Sequence, residues 1–170
     1  MTADTTRLEA LMAGAVEVCV RHVESGGIPF VGLLVASDGW VSDPGVNLVR
    51  ETGDPTAHAE IVALRKAVQA RGRSGPEGAT LLATGEPCAL CYRVAASHGI
   101  AAVCFAVDRD TAADQGFDYR AGYDADGTGR LPLAATAQHL AVERGLVPFT
   151  RYLDLHRSDF TTRSDFTTRS

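Results

Sequence analysis

The sequence predicts an α/β protein, a three-layer sandwich with helices covering both faces of one sheet. Short apolar runs bounded by turn residues alternate along the chain with longer segments of helical period. Elements in that order bury their apolar faces by packing helices on either side of a single sheet. The size agrees: 170 residues, 45% apolar and 22% charged, suit one domain with one sizeable core.

The first helix is expected over residues 6–25. Leu8, Leu11, Met12, Ala15, Val16, Cys19 and Val23 recur at helical spacing, and Thr6 with Glu9 has the form of a capping box. Gly26 and Gly27 end it. Residues 30–37 read as a strand, Ser37-Asp38-Gly39 as a turn, and residues 41–49 as a second strand broken by Pro44 and Gly45. Asp54-Pro55 has the form of a helix cap followed by a first turn, and that helix ends near Gly72. Residues 79–84 are a third strand. Glu86-Pro87 opens a helix that runs to His98 and stops at Gly99, and residues 101–107 are a fourth strand. Residues 131–142 fit strand and helix equally, and residues 148–156 are expected to form a last helix. The domain is taken as residues 1–157. Residues 158–170 repeat Ser-Asp-Phe-Thr-Thr-Arg twice, which is too few copies to bury a core, so a disordered tail is expected.

Charge and composition narrow the function. A net charge of −5 argues against holding nucleic acid through its phosphates; Arg71 and Arg73 read as a solvated helix end. A small soluble substrate fits better than a polymer. No apolar run approaches the ~20 residues that span a bilayer, so no membrane association is expected. The start MTADTTRLEA has no basic segment followed by an apolar one, so the expected location is the cytoplasm. In that reducing setting the four cysteines are not expected to form structural disulfides. Cys19 and Cys104 sit alone in apolar stretches and read as core residues.

Two short segments carry the chemistry. Thr56-Ala57-His58-Ala59-Glu60 lies at the start of one expected helix, and Pro87-Cys88-Ala89-Leu90-Cys91 at the start of the next. The 29 residues between His58 and Cys88 leave room for a helix, a loop and a strand, so both helix starts can meet at one sheet edge. His58, Cys88 and Cys91 supply one nitrogen and two sulfurs, the donors Zn2+ favours, and leave a fourth position for water. Two thiolates cancel the ion's charge, and a helix N-terminus favours the thiolate. Glu60 is placed to take a proton from that water and return it to a leaving amine. Alone, the C-x-x-C pair also fits a redox site. A purely structural zinc site would need a fourth protein ligand, such as Asp54 or His98, and His98 lies two turns away along its helix.

His-x-Glu followed by Pro-Cys-x-x-Cys is the signature of zinc deaminases. Across roughly residues 5–155 the chain resembles the cytidine deaminase superfamily. It is most similar to the branch that holds bacterial guanine deaminases, fungal-type cytosine deaminases and tRNA adenosine deaminases. The resemblance implies a five-stranded mixed sheet in a cytidine-deaminase-like fold, and bound zinc held by His58, Cys88 and Cys91 with Glu60 as the catalytic residue. It also implies a homodimer and hydrolytic deamination of a free nucleobase or nucleoside, guanine first and a pyrimidine, triazine or pterin next. A relative that keeps zinc but has lost catalysis is the alternative of another class.

For substrate binding the resemblance points to Phe30, Asn47, Ala57, Asp118, Tyr119 and Tyr152. Phe30 is equally well a core residue, and Asn47 a turn residue. Tyr152 belongs to a C-terminal segment expected to cover the pocket. Two positions depart from the pattern: Tyr119 stands where an acidic residue follows Asp118, and Ser97 where a tryptophan is common. A missing carboxylate removes an acceptor for ring N–H groups, so these changes bear on which base is accepted.

Overall fold

The computed structural model describes residues 3–125 and 132–157. The repeated hexamers fall outside them. Along the chain run α1 (Ala3–Glu24), β1 (Val31–Val35), β2 (Gly45–Val46), α2 (Val49–Thr52), α3 (Ala59–Arg71), β3 (Thr80–Gly85), α4 (Ala89–Ser97) and β4 (Ala102–Val107). Then follow α5 (Arg109–Asp114), α6 (Ala121–Ala125), α7 (Pro132–Ala135), β5 (Gln138–His139) and α8 (Val147–Leu155). The strands form one sheet in the order β2-β1-β3-β4-β5. β1 is antiparallel to β2 and β3, while β4 runs parallel to β3 and β5 parallel to β4, so the sheet is mixed as expected.

Every residue of β1 is buried, as a strand sandwiched between helices requires. Its alternation sorts the core into two layers. Val31, Leu33 and Val35 join Leu82, Cys104 and Ala106 beneath Met12, Ala15 and Cys19 of α1. Leu34, Leu81 and Val103 face the other way, against Leu64 and Ala67 of α3 and Tyr92 and Ala95 of α4. α8 packs against α1. Cys19 and Cys104 are core residues, as read from the sequence. Among the described residues no helix is long and apolar enough to cross a membrane.

Two glycines bring α3 onto the sheet. Gly32 and Gly45 are cross-strand partners of β1 and β2. A Cβ on Gly45 would overlap the carbonyl of Ala59 and the amide of Ala63, and one on Gly32 would stand 3.0 Å from the Cα of Glu60. The first turn of α3 therefore lies directly on the strand backbones, which sets the depth of Glu60.

Several boundaries differ from the sequence reading. α1 begins at Ala3, so Thr6 and Glu9 lie inside the helix rather than capping it. The second strand is only Gly45–Val46, because Ser42 interrupts the ladder. Its Oγ, rather than a backbone carbonyl, accepts the amide of Leu34 at 2.9 Å, and Pro44 has no N–H to pair. Val49, read as strand, begins the short α2. Asp54 does not cap α3. Its Oδ1 accepts from the amide and the hydroxyl of Thr56 at 2.8 and 2.6 Å and closes a local turn, so the helix starts at Ala59. α4 likewise starts at Ala89, two residues after Pro87. The ambiguous stretch holds both a helical turn, α7, and a two-residue strand, β5.

Replacing Gly45→Ala should lower unfolding stability by about 1–3 kcal/mol through overpacking against α3. Denaturant unfolding of the variant beside the parent protein measures this, and an unchanged midpoint would contradict the close approach.

Candidate metal and active site

The site forms where α3 and α4 begin. His58 is the residue before α3, with extended backbone (φ −68°, ψ 153°), and Cys88 is its counterpart before α4 (φ −70°, ψ 172°). Neither uses its side chain to cap its helix, which leaves the imidazole and the thiol free to turn toward each other. Cys91 follows one turn into α4, on the face shared with Cys88.

His58 Nδ1 lies 3.4 Å from Cys88 Sγ and 3.5 Å from Cys91 Sγ, and the two sulfurs are 3.6 Å apart. Bonds of about 2.3 Å from zinc to sulfur and about 2.0–2.1 Å to nitrogen put tetrahedral neighbours roughly 3.5–3.8 Å apart. The three donor atoms thus already stand at the edges of a zinc tetrahedron. Among the described residues they are the one group of this kind with metal-ligand spacing. Among the described residues no fourth ligand joins it: Asp54 is turned toward Thr56 and Arg65, and His98 follows α4 with its ring bonded to the carbonyl of Val94. The donor set is therefore that of a catalytic rather than a closed structural site.

Electrostatics favour a cation here. Hydrogen bonds with Cys91 and with His58 pull the Cys88 thiol down to about 4, against the effect of burial. Cys91 is pushed upward, first by the neighbouring sulfur and then by burial. A dication binds both as thiolates and offsets the cost of burying them. The dipoles of the two helices, whose N-termini meet here, add positive potential at the same place.

Glu60, in the first turn of α3, is 4% exposed, and its Oε2 accepts from Cys91 Sγ at 3.3 Å. Burial, aided by the charge on Cys88, raises its carboxyl to about 7. It stands beside the donor cluster without belonging to it, as its offset from His58 along the helix requires.

The remaining residues singled out from the sequence occupy different positions. Ala57 is buried, and its carbonyl accepts from Leu48 N at 2.9 Å. Asn47 is buried. Its Oδ1 accepts from Val49 N at 3.1 Å, while its side-chain NH2 makes no hydrogen bond among the described residues. Phe30 packs edge-on against Phe117, Tyr119 and Phe149. Tyr152 meets Phe117, stacks on His156, and accepts from Arg50 Nη2 at 3.1 Å. Tyr119 donates its hydroxyl to the carbonyl of Glu86 at 2.7 Å, close behind Cys88. Asp118 is not brought to the cluster. It is exposed and paired with Arg120 at 2.8 Å. Sequence reasoning missed Arg109 and Tyr123, which reach the same loop as Tyr119. The four-residue spacing of Tyr119 and Tyr123 was the available signal.

An imidazole and two cysteine sulfurs converging beside a buried acid, on a sheet edge of this topology, are the working parts of a zinc-dependent hydrolytic deaminase. The family model for the cytidine and deoxycytidylate deaminase zinc-binding region matches residues 5–107, and the chain belongs to that family. Guanine deaminase of Bacillus subtilis (strain 168) is 35% identical over 111 residues, 65% of this chain and 70% of that protein. The X-ray structure of guanine deaminase from Bacillus subtilis superposes with a TM-score of 0.65 at 28% identity, covering 91% of this chain and 95% of that one. The tRNA-specific adenosine deaminase of Aquifex aeolicus is 35% identical over 83 residues, 49% of this chain and 54% of that protein.

Thiol titration should separate the cysteines. Burial raises Cys19 to about 12 and also lifts Cys104, so neither should react with a thiol reagent until the protein unfolds. Chelator treatment of the zinc-loaded protein should expose Cys88 first, because Cys91 is fully buried and its thiol is pushed upward. Four reactive thiols in the folded, zinc-loaded protein would contradict this arrangement.

Proposed function

We propose that the protein hydrolyses the exocyclic amino group of a free nucleobase, with guanine as the first substrate. The observation that carries this is the Glu60 carboxylate, buried 3.3 Å from Cys91 Sγ beside three side chains spaced as zinc ligands. His58 Nδ1 and the sulfurs of Cys88 and Cys91 would hold the ion. Zinc bound there supplies Lewis acidity, lowering the pKa of water toward ~7. Glu60 takes a proton from the attacking water and delivers it to the amino nitrogen. Oxygen joins the ring carbon, the C–N bond breaks, and ammonia leaves, so the ring amine becomes a carbonyl.

Residues around the cluster support recognition of a flat, neutral ring. Phe30 and Phe117, both half-buried, offer apolar surface over the fully buried Phe149, and Asn47 keeps its side-chain NH2 available as a donor. Ala57 borders His58, and Tyr152, tied to Arg50, belongs to the C-terminal helix expected to cover the base. Guanine is favoured by the 35% identity to the Bacillus guanine deaminase. Tyr119 favours a second reading, an aminopyrimidine, triazine or pterin. A neutral hydroxyl already bonded to Glu86 offers no charged acceptor to ring N–H groups. The net charge of −5 weighs against a tRNA substrate.

Ammonia release from guanine, cytosine, adenine, pterin and aminotriazines tests the reading directly. Turnover of at least one of these is expected. Glu60→Gln should cut it by about 10²–10⁴-fold while metal analysis still finds one zinc per chain. Activity that survives this substitution would refute the role given to Glu60.

A further inference from the structure

Cys88 is reached through Glu86 and Pro87, and the way this loop is held sets where the first cysteine sits. The amide of Glu86 donates to Val107 O at 2.8 Å, which ties the end of β3 to β4. Pro87 has no N–H to donate. The carbonyls of both residues are taken by hydroxyls from one later segment. Tyr119 Oη donates to Glu86 O at 2.7 Å, and Tyr123 Oη donates to Pro87 O. The Glu86 side chain is held from the same direction: Oε2 accepts from Arg109 N at 2.9 Å and Oε1 from Arg109 Nη1 at 3.4 Å.

The holding groups are themselves fixed. The Arg109 guanidinium lies 4.4 Å from the centre of the Tyr123 ring. The Tyr119 and Tyr123 rings stack at 28° with centroids 6.5 Å apart, and Tyr119 packs edge-on against Phe30. Each tyrosine loses few degrees of freedom in making its bond, since neighbours already restrict its ring.

We propose that Tyr119 and Tyr123 form a two-hydroxyl clamp on the Glu86-Pro87 carbonyls that positions Cys88 and so sets the geometry and affinity of the metal site. This rests on His58, Cys88 and Cys91 holding zinc. Both tyrosines act through the loop and are positioning residues. Groups that orient metal ligands from behind are worth about 10–100-fold in metal affinity, and the clamp belongs to this class although it grips backbone rather than a ligand side chain. Tyr119 thereby has a task independent of the base: it fills the place of an acidic residue with a group whose hydrogen bond goes inward to the loop.

Tyr119→Phe, Tyr123→Phe and the double substitution remove the hydroxyls and keep the rings. Tyr92→Phe is the matched control, because the Tyr92 hydroxyl is buried in the same core and has no partner among the described residues. Two readouts apply to the folded protein: zinc affinity by competition with a chromogenic chelator, and the visible spectrum of the cobalt-substituted protein, which reports thiolate coordination. The double variant should bind zinc about 10–100-fold more weakly with altered cobalt bands, the single variants less so, and Tyr92→Phe should match the parent in both. An unchanged affinity and spectrum in the double variant would overturn the clamp. Equal losses in Tyr92→Phe would also overturn it, because the effect would then be general loosening. If the double variant fails to fold, the single variants decide by the same criteria. A parent protein that binds neither zinc nor cobalt would instead overturn the metal site itself, and the clamp with it.

Discussion

Two sulfurs, a ring nitrogen and a carboxylate are crowded into one corner of this molecule, and how they share their protons is the constraint on which the rest of the structure turns. Both sulfurs can be thiolates beside this buried carboxyl only around a positive charge. The fold supplies part of that charge through two helix starts and leaves the rest to a dication. The parallel pairing of β3 with β4, the short glycine strands under α3 and the tyrosines behind Cys88 all help to keep these atoms within a few tenths of an ångström of tetrahedral spacing.

The division of labour between His58 and Glu60 follows from the helix they share. The residue before a helix is extended and can direct its side chain outward along the axis. Two positions later the chain is helical, and its side chain points to a different side. One short segment can therefore present a metal donor and, beside it, a proton carrier that does not coordinate. Gly32 and Gly45 complete the arrangement by letting the turn that bears Glu60 sink onto the strands, where the acid is shielded from solvent.

Much of this was legible in the sequence because it depends on residue types at fixed spacing. His58, Glu60, Cys88 and Cys91 are such a set. The alternation of strands and helices gave the layers, and the isolated Cys19 and Cys104 were correctly placed in the core. What was not legible depends on competition between local hydrogen bonds. Asp54 looks like a helix cap but closes a turn with Thr56, and Ser42 substitutes its hydroxyl for a backbone carbonyl and cuts a strand short. Asp118 illustrates a different limit. Its position in a motif pointed to the substrate, yet its neighbour Arg120 holds it at the surface. The contribution of Arg109 left no local signal, and that of Tyr123 only its spacing from Tyr119, because both rest on contacts between segments more than 20 residues apart.

The strand order has a consequence for how the molecule reaches its working state. β1 meets β3 only after the whole of α3 has been threaded between them, and β3 meets β4 only after α4. His58 and Cys88 share a neighbourhood because both of these distant pairings exist, so the chelating set depends on long-range contacts rather than on any one local element. The two parts of the donor set lie 30 residues apart along the chain, and the closed sheet is what brings the trio together.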